Sequence, residues 1–203
     1  MTRPVCLVTG ATGALGPTVV DRLGRSYEIR TFSRRAPEAG LFAVPVQAFT
    51  GDITDPVAVR EAVRGADAVV HMAALLHIVA PAASLRSEYE RINVTGTSVV
   101  VQAAVAEGVQ RLVLLSTIAV YGKGRRQVID ETWTPTPDTL YGETKLAAEK
   151  IALEARRPDG SPLATVLRAA AVYGPRIKGN YRTLIEAIDR RRFVPIGPGT
   201  SRR

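Results

Sequence analysis

The chain has 203 residues, 46% of them apolar, with one cysteine and only His71 and His77 as histidines; it can bury a sizeable core without disulfides and lacks the ligands of a zinc cluster. Its net charge of +8 invites a nucleic-acid reading, but from Arg176 onward eight basic residues against Glu186 and Asp189 carry six of those charges. The rest is close to balanced, with no basic stripe interleaved with aromatics, and no secretory segment or run of ~20 apolar residues appears, so a cytoplasmic protein binding neither nucleic acid nor membrane is expected.

Val5 to Thr9 reads as a short apolar strand, with Cys6 as a small buried hydrophobe. It runs into Thr9-Gly10-Ala11-Thr12-Gly13-Ala14-Leu15-Gly16, glycines spaced TGxxGxxG, and then into the helical pattern Val19, Val20, Leu23. Gly10 permits a tight turn, Gly13 lets backbone N–H groups approach a pyrophosphate, and Gly16 lets the helix pack close to the sheet. Strand, turn and helix in this order mark a dinucleotide site. A second strand, Glu28 to Phe32, ends at Ser33-Arg34-Arg35, where an acid would bind the ribose of NAD and a cation accommodates the 2′-phosphate of NADP. With no acid present, NADP is favoured over NAD.

A third strand is expected at Val44 to Ala48. Asp55-Pro56 reads as an N-cap with proline at the first helical position, followed by Val57, Ala58, Val59, Ala62 and Val63. A strand over Ala68 to His71 precedes a long helical stretch from Ser87 to Glu107, with Ile92, Val99, Val100, Ala103 and Ala104 as its apolar face and Gly108 at C′. Strands follow at Leu112 to Ser116, Ala164 to Leu167 and, briefly, Phe193 to Ile196. Between them lies Tyr141-Gly142-Glu143-Thr144-Lys145, opening a helix that continues through Leu146, Ala147, Ala148 and Ile151. Tyrosine and lysine four apart share one helix face, and an ammonium there favours phenolate. Strands alternating with helices imply α/β architecture, a doubly wound parallel sheet with right-handed crossovers.

Together the TGxxGxxG and YxxxK motifs resemble the extended branch of the short-chain dehydrogenase/reductase superfamily, the NAD-dependent epimerase/dehydratase family. Gly51-Asp52-Ile53-Thr54-Asp55, His71-Met72-Ala73-Ala74, Asn93-Val94-Thr95-Gly96-Thr97, Ser116 through Gly122, Pro137, and Leu167-Arg168 before Val172-Tyr173-Gly174-Pro175 extend the likeness over nearly the whole chain. The resemblance implies a Rossmann fold over residues 1–175, with residues 176–203 as only the beginning of a C-terminal substrate lobe. It implies that Thr12, Ala14 and Leu15 line the dinucleotide with the three glycines. Asp52 and Ile53 would meet the adenine, and Ala73, Ala74, Asn93 and Ala170 match further cofactor positions.

In the chemistry the resemblance implies, Tyr141 exchanges a proton with a substrate hydroxyl. Lys145 lowers the tyrosine pKa and binds the nicotinamide ribose, and Thr117 holds the reacting oxygen, with Ser116 as its alternative. The substrate class is a nucleotide-linked sugar or related small molecule, whose diphosphate the basic residues after Arg176 would face. Two departures bear on it. Ala171 stands where many such enzymes carry asparagine, and Ile118-Ala119 replaces the acidic pair of dehydratases, which disfavours dehydration and leaves epimerisation and ketone reduction. No metal is expected. A homodimer is, through the stretches Ser87 to Glu107 and Leu140 to Arg157. The rival reading is a dinucleotide-binding module or fragment without turnover.

Overall fold

In the computed structural model, residues 2–76, 85–122, 128–174, 176 and 180–193 are described. His77, Pro175, Lys178, Arg202, Arg203 and most of the strand expected at 193–196 lie outside them. The chain divides into two units, Met1–Ala170 and Ala171–Arg203.

In the first unit, six strands form one sheet: β1 (Val5–Thr9), β2 (Glu28–Ser33), β3 (Val46–Thr50), β4 (Ala68–His71), β5 (Arg111–Thr117) and β6 (Ala164–Ala169). All pairings are parallel, in the order β3-β2-β1-β4-β5-β6, the arrangement of a Rossmann fold. The order reverses direction between β1 and β4. Ligands of open α/β sheets bind outside the carboxyl ends of the strands at that point.

The central strands β1 and β4 are covered on both faces, which is why they are nearly all apolar, whereas the edge strands β3 and β6 are partly exposed. Leu7 of β1 points into a core with Val69, Leu112 and Leu114, where α2 (Pro56–Val63), α4 (Gly96–Ala106) and α5 (Leu140–Glu154) contribute Val63, Val100 and Ala148. Its neighbours Cys6 and Val8 point the other way, onto Val20 of α1 (Gly16–Leu23). Burial pushes the Cys6 thiol up to about 12, which leaves it a packing group.

Helix ends follow the sequence. Asp55 caps α2 by accepting from the N–H groups of Val57 and Ala58 at 2.9 and 3.3 Å. Gly108 takes the left-handed conformation just past the long helix (φ 70). Two elements depart from expectation. The third strand lies two residues later than Val44 to Ala48, because Pro45 has no N–H to offer the ladder and pairing starts at Val46↔Ile29. The long helical stretch is a short α3 (Arg86–Tyr89), a π-helical turn (Glu90–Thr95) and then α4, and π turns cluster at functional sites.

In the second unit, α6 (Asn180–Asp189) carries an Arg182–Glu186 pair at 2.8 Å, and Phe193 is not in a strand. Among the described residues no helix is long and apolar enough to cross a membrane.

Candidate functional site

The glycine turn leaves β1 at its carboxyl end. Gly10 has φ 71, and a Cβ there would come within 2.7 Å of the Ala73 nitrogen, so the loops after β1 and β4 touch at the switch point. A Cβ on Gly16 would collide with the backbone of Ala11. Both glycines are thus demanded by the protein itself. Gly13 is different: it is exposed, and a Cβ there would meet only the Gly10 carbonyl oxygen, at 3.1 Å. Its open face is what a closely approaching pyrophosphate requires. Thr12 is exposed beside it, and Ala14 and Leu15 are half-buried. Leu15 occupies the N-cap of α1 and makes no side-chain capping bond, and no acidic side chain lies in the first turn. The leading N–H groups of α1 therefore have no side-chain acceptor, whereas α2 and α5 are capped by Asp55 and Thr139.

At the end of β2, Ser33 is 8% exposed and its hydroxyl has no hydrogen-bond partner. Buried hydroxyls are rarely left unpaired, so this one fits a ribose or phosphate oxygen. Together with the open Gly13 face, it makes the residues present fit a dinucleotide. Arg34 and Arg35 follow on the surface. Asp52 accepts from the Thr54 N–H and hydroxyl at 3.0 and 2.8 Å and from Arg91 at 2.9 Å. Those two Thr54 bonds, then Arg91, hold its carboxyl down to about 2. Arg91 also forks onto both oxygens of Glu88 at 2.9 Å. Ile53 is buried in the core, where a Cβ on Gly96 would lie 2.7 Å from its Cγ2.

The next elements meet through buried polar side chains. His71, at the end of β4, lies between the hydroxyls of Thr9 (2.7 Å) and Thr97 (3.1 Å). Asn93, inside the π turn, accepts from the Leu75 N–H at 2.7 Å and donates to the Leu75 carbonyl and to Thr144 of α5, both at 3.2 Å. Ala73 and Ala74 are half-buried along this loop, and Ala170 is exposed just after β6.

Helix α5 comes close to the end of β5 because Gly142 allows it: a Cβ there would lie 2.7 Å from the Ala119 carbonyl oxygen. Thr117 accepts from the Ala119 N–H at 3.1 Å and is half-buried. Ser116, on the opposite face of the strand, is buried and donates to Glu149 at 2.5 Å. Thr117 is therefore the more accessible of the two hydroxyls. Tyr141 is half-buried, and Lys145 and Glu149 are buried one and two turns further along α5. Burial, then Tyr89, raises the Tyr141 pKa above its ordinary value. The expected lowering by Lys145 is not found: burial of the phenol sets the direction, and Lys145 is not among the groups that shift it. Desolvation pushes Lys145 down to about 8, with Glu149 opposing it.

Two groups escaped the sequence reading. Glu149 takes Arg168 on both oxygens, at 2.7 Å from Nη2 and 3.1 Å from Nε, and Arg168 reaches the Tyr121 hydroxyl at 2.6 Å. The signal was available, since Glu149 continues the Tyr141–Lys145 spacing by four more residues among the small residues Ala148 and Ala152. His71 appeared only as part of a motif, without a task.

The chain resembles proteins of known sequence and structure. Sterol demethylase protein B of Methylococcus capsulatus is 35% identical over 175 residues, 83% of this chain and 52% of that protein. The 3 beta-hydroxysteroid dehydrogenase/Delta 5-->4-isomerase of Mycobacterium tuberculosis is 32% identical over 190 residues, 90% of this chain and 50% of that protein. Among solved structures, MoeE5 in complex with UDP-glucuronic acid and NAD is 33% identical with a TM-score of 0.79, over 90% of this chain and 60% of that one. The chain spans about half the length of the curated relatives it matches. Residues 6–203 match the model of the NAD dependent epimerase/dehydratase family, and the chain belongs to that family.

Proposed function

We propose that this chain is the cofactor-binding part of an NAD(P)-dependent oxidoreductase or epimerase acting at a hydroxyl or ketone carbon, with Tyr141 as acid/base. The observation that carries the reading is the convergence of an open glycine turn, an unpaired buried Ser33 hydroxyl and the Tyr141–Lys145 helix around one end of a switch-point sheet. A bound nicotinamide dinucleotide supplies hydride transfer. The protein's own residues handle the proton. Tyr141 Oη takes it from, or returns it to, the substrate oxygen, and Thr117 Oγ1 holds that oxygen by a hydrogen bond. Lys145, when charged, favours the phenolate and offers donors to the ribose. Ser33, Arg34 and Arg35 favour NADP over NAD.

A nucleotide-linked sugar is the first substrate class, because MoeE5, of related sequence and fold, binds UDP-glucuronic acid. A sterol-like alcohol is the second. Ala171, where nucleotide-sugar enzymes carry asparagine, and the sterol enzymes among the relatives favour it.

The test follows nicotinamide fluorescence with UDP-sugars and 3-hydroxysteroids, using the protein as it is expressed in its host. Tyr141→Phe should lower turnover about 10²–10⁴-fold with dinucleotide affinity nearly intact. Lys145→Met should impair both, and the double variant should be little worse than the worse single one. Near wild-type turnover by Tyr141→Phe would assign the proton to another group. Absence of turnover on every substrate would favour a binding module.

A further inference from the structure

His71 is fully buried at the end of β4 and has no part in the chemistry above. Its hydrogen bonds fix where one proton sits. Thr9 Oγ1 accepts the Ala73 N–H at 3.2 Å and shares the Met72 N–H, also at 3.2 Å, with the Thr9 carbonyl oxygen. The Thr9 hydroxyl lies 2.7 Å from His71 Nδ1 and can donate its own proton there. On the other side, Thr97 donates its proton to the Asn93 carbonyl at 2.7 Å, so it can only accept from His71 Nε2 at 3.1 Å. The Thr97 bonds thus fix a proton on Nε2, and in a buried neutral ring that leaves Nδ1 bare to accept from Thr9.

Every bond then points the same way. The Ala73 N–H donates to Thr9, Thr9 to His71, His71 to Thr97, and Thr97 to the backbone of Asn93. One end of this row, Ala73, lies against Gly10 of the cofactor turn. From the other end the Asn93 amide donates to Thr144, whose hydroxyl approaches the Leu140 and Tyr141 carbonyls at 3.0 and 3.1 Å. A row of aligned bonds in a dry interior is mutually reinforcing and tolerates no reversal.

We propose that His71, locked as the neutral Nε2–H tautomer, is a positioning residue that fixes the dinucleotide turn after β1 relative to the helix carrying Tyr141 and Lys145. The proposal rests on the reading of that turn as the cofactor site. A second proton would have to sit on Nδ1, where the Thr9 hydroxyl would have to turn its own proton away from the ring. Burial, then the ammonium of Lys145 of α5, depresses the His71 pKa. The ring bonds to Thr9 of β1 and Thr97 of α4, and Leu114 is the register partner of His71 in β5, none of them titratable.

The test is nitrogen NMR of the whole labelled chain, with His77→Asn to assign the two rings, alongside titration with NAD. His71 should show a protonated Nε2 and a bare Nδ1, unchanged from about pH 5 to 8. Thr97→Val, which removes both bonds of that hydroxyl, should mix the tautomers and weaken NAD binding about tenfold, with Thr97→Ser restoring both. A protonated Nδ1, or titration of His71 in that range, overturns the proposal whatever the cofactor does. So does a folded Thr97→Val chain that binds NAD as the wild type does. Failure of the wild type to bind any dinucleotide would instead sink the cofactor reading and leave the tautomer result standing.

Discussion

At the scale of single residues, the site is built from polar groups held at a cost in the interior. His71 and Lys145 are both pushed toward their neutral forms, to about 3 and about 8 from ordinary values of 6.5 and 10.5. Between pH 3 and 6.5 the unfolded chain binds a proton at His71 that the folded chain refuses. Stability therefore falls as the pH drops through that window, by up to about 1.4 kcal/mol per pH unit. The same sign holds for Lys145 between 8 and 10.5, so stability should rise with pH there. Asp52, held at about 2, adds its own loss only below its ordinary 3.8. Urea unfolding between about pH 4 and 6, inside that window, checks the histidine. The expected slope should vanish in a folded His71→Gln chain, and a flat profile in the wild type would contradict the burial of a neutral ring.

At the scale of elements, the three glycines of one motif do different work, and substitution separates them. Gly16→Ala should destabilise the chain severely, because the methyl group collides with the Ala11 backbone. Gly10→Ala adds a strained left-handed alanine pressed on Ala73. Gly13→Ala should fold with a far smaller drop in unfolding midpoint than Gly16→Ala and lose dinucleotide affinity about tenfold or more, since its methyl group would meet only the Gly10 carbonyl oxygen, at 3.1 Å, on the exposed side of the turn. Equal losses of stability in Gly13→Ala and Gly16→Ala would remove this distinction. The motif was legible from spacing alone, as were the first two strands, the Asp55 cap and the helix under Tyr141. Pro45 was a visible reason for the third strand to start late, and it was not weighed. The π turn at Glu90–Thr95 was not legible, because it depends on Asn93 bonding to Leu75 and Thr144, which lie 18 and 51 residues away. Glu149 was hidden for a similar reason, its partners Ser116 and Arg168 being brought to it by the sheet.

At the scale of the molecule, a six-stranded sheet brings the ends of β1, β2, β4 and β5 together at one edge, with the glycine turn, Ser33, His71 and Thr117 in a row. Helices α4 and α5 leave Val105 and Leu153 substantially exposed, at 39% and 48%, which suits pairing of two copies through these helices. Sedimentation at micromolar concentration should give a dimer, and a Leu153→Glu monomer; a wild-type monomer would count against that pairing. The account as a whole stands on the dinucleotide, and calorimetric titration of the wild-type chain with NADP and with NAD tests it most directly. It predicts saturable binding at a single site, tighter for NADP, with that preference lost in Arg34→Ala/Arg35→Ala at a cost of about 1.5–3 kcal/mol to NADP alone. Saturable binding of neither dinucleotide would contradict it.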